Sequence, residues 1–324
     1  MVSRRPILVG AALAACGVAP LARSAEPYPS RPIRLIVPYP PGGGIDPTAR
    51  LFAQALSEEL GKPIVVLNVG GASGQIGTDQ AAKSAPDGYT LLFASAAPNA
   101  ILPAVLPKLP YRNQDLSPIS LVGSAAYVLV THPSVAGTNV QQLLQSIRAK
   151  PDFIPAFASS GQLSGPHLAG ELFKVLSKAE MTHIPYRGNG PALTAVLANE
   201  VPMMFASAPA VMQHVKEGRL KIYGISARQR SPSIPDVPAL GELMPGLEVT
   251  QWYGLMAPAA TPPEIVAQLH RSSLKVMGSP AMKSQLAIHG VEPRTNSPAQ
   301  FAAFVESETK KYRELVERAH ITSE

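Results

Sequence analysis

Apolar residues recur along this chain in two alternating rhythms. Short β-branched or aromatic runs alternate with longer stretches in which apolar side chains return every three or four residues. The run from Ile33 to Tyr39 predicts a buried strand, broken by Pro40-Pro41-Gly42-Gly43-Gly44. Asp46 then stands where a helix N-cap belongs, with Pro47 at the first helical position. Ala49, Phe52, Leu56 and Leu60 share one face of that helix until Gly61 and Pro63 stop it. Further strands are predicted at 64–67, 89–93, 127–131, 153–158, 182–186, 201–205, 221–226 and 252–257. Helices fill the intervals. One covers 78–84, one is opened by a Thr138-x-x-Gln141 capping box, and others begin near Pro166, Pro191 and Pro209 and from Pro262 or Pro263. A weaker helix lies near Ala281, and Ser297-Pro298-x-Gln300 opens the last.

Strands alternating with helices predict an α/β fold of mostly parallel sheets flanked by helices on both faces. The chain has 324 residues, enough for two domains. In such sheets ligands bind beyond the carboxyl ends of strands, where loops feed helix N-termini. The loops to weigh are therefore 40–46, 95–99, 159–167, 186–189 and 206–209.

Composition narrows the picture. Apolar residues make up 46% and charged residues 15%, which excludes a disordered chain. A single cysteine excludes an internal disulfide framework and a cysteine-rich metal site. The net charge of +6 falls to +3 once Arg4, Arg5 and Arg23 are set aside with residues 1–25, which read as an export signal. Arg4-Arg5 form its charged region, Ile7 to Ala15 its apolar region, and cleavage after Ser24 would leave Ala22 three residues upstream of the cut. Residues 3–8 resemble a twin-arginine signal, and Leu13-Ala14-Ala15-Cys16 resembles a lipobox that would lipidate Cys16. Lys310-Lys311 sits among Glu306, Glu308 and Glu314, a mixed solvated helix face and not a nucleic-acid stripe. The body is expected in the periplasm.

Enzyme motifs fail on spacing. No glycine stands three after Gly44, so the dinucleotide fingerprint is not met, and neither a P-loop nor a G-x-S-x-G elbow occurs. The seven histidines show no H-E-x-x-H. His167 near Ser159, Ser160 and Ser164 leaves an exported serine esterase as the rival reading. An anion site asks for less. A glycine turn exposes backbone N–H groups, and a helix N-terminus adds partial positive charge without a basic side chain.

Several segments carry a family likeness in order along the chain: Tyr28-Pro29-Ser30-Arg31-Pro32-Ile33, Val37-Pro38-Tyr39-Pro40-Pro41-Gly42-Gly43 with Asp46, Pro86-Asp87-Gly88-Tyr89-Thr90-Leu91-Leu92, Lys108-Leu109-Pro110-Tyr111. His167-Leu168-Ala169-Gly170-Glu171-Leu172-Phe173, Met181-Thr182-His183-Ile184-Pro185-Tyr186-Arg187-Gly188, Asp236-Val237-Pro238 and Trp252-Tyr253-Gly254-Leu255-Met256-Ala257-Pro258 continue it. Together they resemble the Bug (tripartite tricarboxylate transporter receptor) solute-binding proteins over essentially the whole mature chain.

The resemblance implies a two-lobed periplasmic-binding-protein-like fold (type II) with the ligand cleft between the lobes. Lobe 1 would be residues 26–124 plus 251–324, lobe 2 residues 125–250, with 127–131 and 252–257 as crossing strands. It implies a carboxylate resting on loop N–H groups, with no metal, cofactor or catalytic residue. Tyr39, Pro41, Gly43, Gly44, Asp46 and Ser95 would come from one lobe. Ser159, Ser160, Gly161, His167, Tyr186, Gly188, Ala206 and Ser207 would come from the other. The expected partners are a small carboxylate and membrane transporter subunits, with no nucleic acid, the protein itself being a monomer. A sensor module presenting ligand to a receptor kinase is the other alternative. The stretch 201–206 lacks acidic residues often found there in the family, which points away from amino acids and toward simple or aromatic carboxylates.

Overall fold

The apolar run after Pro32 forms β1 (Ile33–Val37), buried at every position but Arg34. In the computed structural model, which describes residues 27–42, 44–149, 155–232, 234–319 and 321, the alternation continues to the last helix. α1 (Ile45–Leu60), β2 (Ile64–Asn68), α2 (Gln75–Ala82) and β3 (Thr90–Ser95) follow. A π-turn at Ala97–Ile101 then leads into α3 (Leu102–Val105) and the long β4 (Leu116–Thr131). Next come α4 (Val140–Arg148), β5 (Ala156–Ser159), α5 (Gly165–Ser177), β6 (Thr182–Pro185) and α6 (Asn189–Leu197). β7 (Met203–Ser207), α7 (Ala208–Lys216), β8 (Lys221–Ile225) and α8 (Leu240–Leu243) complete the middle of the chain. The chain ends with β9 (Thr250–Pro258), α9 (Pro263–Gly278), α10 (Pro280–Ile288), β10 (Glu292–Pro293) and α11 (Pro298–Ala319).

The strands run in the order β2-β1-β3-β9-β4-β7-β5-β6, with β8 and β10 also on β4. The flanks are parallel: β1 with β2 and β3, β5 with β6 and β7. The centre is antiparallel, because β9 and β4 run against their neighbours. The sheet is thus mixed where the alternation alone suggested mostly parallel pairing, and the reason is β4. Its residues 116–126 pair with β9, and its residues 127–131 pair with β7 and β8, so one strand serves both lobes. Sequence reading found only its last five residues, since Pro118 and Gly123 interrupt the apolar pattern before them. β9 pairs with β3 and with residues 116–126 of β4, and the segment that leads into β9 runs beside the end of β8. There Val249 N–H donates to the Ser226 carbonyl at 3.0 Å.

Two helix starts differ from expectation. α1 begins at Ile45 with Gly44 as N-cap, so Asp46 is its second residue. α4 is capped by Asn139, whose Oδ1 accepts the Gln142 N–H at 2.9 Å, one register later than the expected box. The box at Ser297 does form: Ser297 N–H donates to Gln300 Oε1 at 2.9 Å and Gln300 N–H to Ser297 Oγ at 3.2 Å.

In the first lobe Phe93 packs between Phe52 and Tyr253, ring centroids 6.1 and 5.9 Å away. Each such ring, fully buried, contributes roughly 1.5–3 kcal/mol. Trp252 meets Phe301 and Phe304 of α11 edge-on, fastening the last helix to β9. Residues 1–25, with Cys16, and Gly43 lie outside the described residues.

Candidate functional site

Four helix N-termini meet at one cavity between the lobes. Its volume is about 60 Å³, and its lining takes Gly44 and Ile45 from α1 and Ser164, Gly165 and Pro166 from α5. Asn189, Gly190 and Pro191 come from α6, and Ser207 from the start of α7. Each of these helices carries a proline as its second or third residue: Pro47, Pro166, Pro191 and Pro209. At such positions the missing N–H breaks no intrahelical bond, and the fixed φ favours helix initiation. The N-caps of α1, α6 and α7 (Gly44, Gly188 and Ser207) make no side-chain capping bond. Only α5 is capped, by Ser164 Oγ accepting His167 N–H at 3.4 Å. The unpaired N–H groups and the positive ends of the helix dipoles converge on the cavity.

Among the described residues no charged side chain lines it. Tyr39, Pro40 and Pro41 wall one side, Ser160 and Gly188 the other. The floor is built from the shared strands: Tyr127 Oη donates to Gln251 Oε1 at 2.5 Å, beside buried Tyr253. Gly165 allows this, since a Cβ there would overlap the Tyr127 phenol. Ser207 Oγ and both polar atoms of the Asn189 side chain are buried without a hydrogen-bond partner. Buried polar atoms left alone are uncommon and mark a place where a ligand would complete the bonding.

A second chamber of about 530 Å³ shares Tyr39, Pro40, Ser160 and Gly188 with the first. Its remaining lining includes Gly161, Gln162, Tyr186 and Arg187 from one lobe and residues 70–74 from the other. The lobes touch here: Ser73 Oγ donates to the Gln162 carbonyl at 2.6 Å. Ala72, Ser73 and Leu163 hold left-handed φ of 47°, 53° and 56° on the two sides of that contact. Non-glycine residues adopt this region rarely, and such positions cluster at ligand sites and switch regions.

The structure sorts the expected site residues. Tyr39, Pro41, Gly44, Ser160, Gly188 and Ser207 line the first chamber, and Gly161 and Tyr186 the second. Gly43 is outside the described residues. Asp46, Ser95, Ser159, His167 and Ala206 stand behind the lining. The Asp46 carboxylate accepts from Arg50 Nε at 3.0 Å and Asn68 Nδ2 at 2.8 Å. Burial would raise its pKa, but these hydrogen bonds and the Arg50 charge outweigh burial and hold it below the usual range. Its role is to brace the first turn of α1. Ser95 ends β3 opposite Tyr253, and Ala206 lies in β7 opposite Val128.

The φ of Gly44 is −63°, so its backbone does not require glycine. Proximity requires it: a Cβ on Gly44 would overlap the Ser207 side chain across the cleft.

His183 was missed by sequence reading. It stacks between Phe157 and His167, centroids 5.0 and 4.0 Å away, and its Nε2 lies 2.6 Å from Ser159 Oγ. That hydroxyl also accepts the Gly161 N–H at 3.1 Å and donates to the Gly161 carbonyl at 3.0 Å. Ser159 therefore pins the turn that carries Ser160 and Gly161 to the cleft. Burial lowers the pKa of His183 to about 4 and of His167 to about 3, with His183 adding to the latter shift. His167 Nδ1 accepts the Leu163 N–H at 3.1 Å, the bond of a neutral imidazole. The sequence signal for this stack was a pair of histidines, one near the start of a strand run and one opening a helix, which pattern alone cannot bring together.

The model of the tripartite tricarboxylate transporter family receptors matches residues 48–321. The chain belongs to that family. Protein BugT of Bordetella pertussis is 38% identical over 312 residues, 95% of each chain. The receptor fold is shared with two solved proteins of Rhodopseudomonas palustris. Rpa4515 with adipate is 30% identical, with TM-score 0.87 over 91% of this chain and 99% of that one. MatC with bound malate is 29% identical, with TM-score 0.82 over 89% of this chain and 100% of that one. This family member is thus a solute-binding protein of the two-lobed periplasmic class, with its cleft between the lobes. Among the described residues, no helix of this receptor is long and apolar enough to cross a membrane.

Proposed function

We propose that this receptor captures a small organic carboxylate outside the cytoplasm and delivers it to membrane subunits of a tripartite tricarboxylate-type transporter. One observation carries the ligand class: four helix N-termini converge on a cavity that, among the described residues, no charged side chain lines. Such a site favours an anion through oriented N–H groups alone. The adipate- and malate-bound neighbours hold ligands of this chemistry. The predicted export signal supports a periplasmic location, and the monomer is the proposed unit.

The proposed lobes are residues 26–124 with 251–324, and residues 125–250. The proposed contacts are Tyr39, Pro41, Gly43, Gly44, Ser160, Gly188 and Ser207 in the first chamber, joined by Asn189, with Gly161 and Tyr186 in the second. Asp46, Ser95, Ser159, His167 and Ala206 shape these walls from behind. Calorimetry of the mature protein against carboxylates and their methyl esters tests the reading. Binding of the acids and not the esters is expected, and equal binding of both would overturn it. Hydrolysis of the esters, lost on Ser159→Ala, would favour a hydrolase built on the Ser159–His183 pair.

A further inference from the structure

We propose that a groove beneath α11, separate from the cleft, docks an acidic, amphipathic segment of a partner protein. The groove has a volume of about 1300 Å³ and runs between α11 and the loop from α3 to β4. Its floor is apolar, with Leu106, Leu109, Leu116, Met256 and Val305. Its rim is cationic: Lys108 and Arg112 on the loop side, Lys310 and Arg313 on the helix side, against one acid, Glu306. Arg112 is held by Asp115 at 2.9 Å. Among the described residues no ion pair engages Lys108, Lys310 or Arg313.

Helix geometry produces this asymmetry from a stretch that looks balanced in sequence. Glu306, Lys310 and Arg313 share a face at i, i+4 and i+7, whereas Lys311 turns away to pair with Glu308. Three cations stand without an ion-pair partner among the described residues, above a floor where Leu106 and Leu109 are half-buried, the complement of a segment that alternates acidic and apolar side chains. A small carboxylate would leave most of this volume empty. A flat bilayer surface would not reach the floor of a concave groove. The proposal rests on the groove alone and does not depend on which ligand the cleft takes.

The test uses the full mature protein and a fluorescein-labelled 16-residue peptide alternating Glu and Leu, with a Gln-for-Glu peptide as control. Fluorescence anisotropy should show the acidic peptide binding at least tenfold more tightly than the control, and weakening as salt rises from 50 to 300 mM. Lys310→Glu with Arg313→Glu should weaken it at least tenfold, as should Lys108→Glu on the opposite wall. Lys216→Glu, on α7 of the other lobe, should leave it unchanged. Thermal melting of each variant separates lost docking from lost fold. No binding, equal binding of the two peptides, or an equal effect of Lys216→Glu would overturn the proposal. So would binding of phosphatidylglycerol vesicles through the same lysines with no peptide binding, which would make the surface a membrane contact.

Discussion

The cleft and the α11 groove are two concave surfaces of one molecule, and they present positive potential in opposite ways. Among the described residues the cleft has no charged side chain in its first chamber, and it draws its potential from helix N-termini fixed by the fold. The groove has four cationic side chains on flexible stems over an apolar floor. Oriented backbone dipoles cost no side-chain ordering and are shielded once the lobes close. Exposed lysines and arginines are screened by salt within a Debye length of about 8 Å. A site that must distinguish small molecules and then reopen suits the first arrangement, and a surface that meets another macromolecule suits the second.

The largest effect should come from closing off the first arrangement. Gly44→Val should weaken carboxylate binding more than a hundredfold while leaving the fold intact, because the new side chain meets Ser207 and holds the lobes apart. Calorimetry with circular dichroism reads both halves of that statement. Persistent tight binding would show that closure does not bring Gly44 against Ser207.

The histidine stack gives the next effect, on stability. Both imidazoles are neutral in the folded protein with pKa values below the unfolded 6.5. Their contribution is therefore complete above about pH 6.5 and is lost as pH falls toward 4 and then 3. The unfolded chain binds more protons in that window, so unfolding free energy should fall by about 1.4 kcal/mol per pH unit for His167, and by less for half-buried His183. Urea melts at pH 7 and pH 5 measure the slope. His183→Gln should flatten part of it while keeping a donor for Ser159, and an unchanged slope would remove the stack from the account. Ligand affinity itself should vary little across pH 6–8, where neither imidazole nor an ordinary carboxylate titrates.

Loss of the Ser159 bond is expected to be smaller. Ser159→Ala removes the hydrogen bonds that pin the Gly161 turn and should cost about 1–3 kcal/mol in stability. Smallest of all should be Arg187→Ala. Arg187 is exposed at the rim of the second chamber, and its loss should change carboxylate binding by less than ~1 kcal/mol. A complete loss of binding in this variant would mean that a side-chain ion pair holds the anion and would erase the contrast between the two surfaces. Binding should also persist in chelator: no cluster of three or more metal-ligating side chains occurs among the described residues.

Much of this was legible locally. A strand run, small residues and an early proline recur at 33–47, 156–166, 182–191 and 203–209, and each marks a helix N-terminus that reaches the cleft. Such signals are short-range, since capping, proline placement and apolar periodicity act within a few residues. What the tertiary structure alone decided lies at long range. β4 joins both lobes and sets Tyr127 against Gln251, 124 residues away. Ser159 finds His183 and not the nearer His167, because β5 and β6 pair in parallel while α5 starts beyond them. Gly44 must be glycine because Ser207 arrives from the other lobe, not because of its own backbone. The amino-acid order thus determined where each anion-seeking N-terminus begins. Only packing determined that four of them face one another, because the contacts that bring them together join residues remote in the chain.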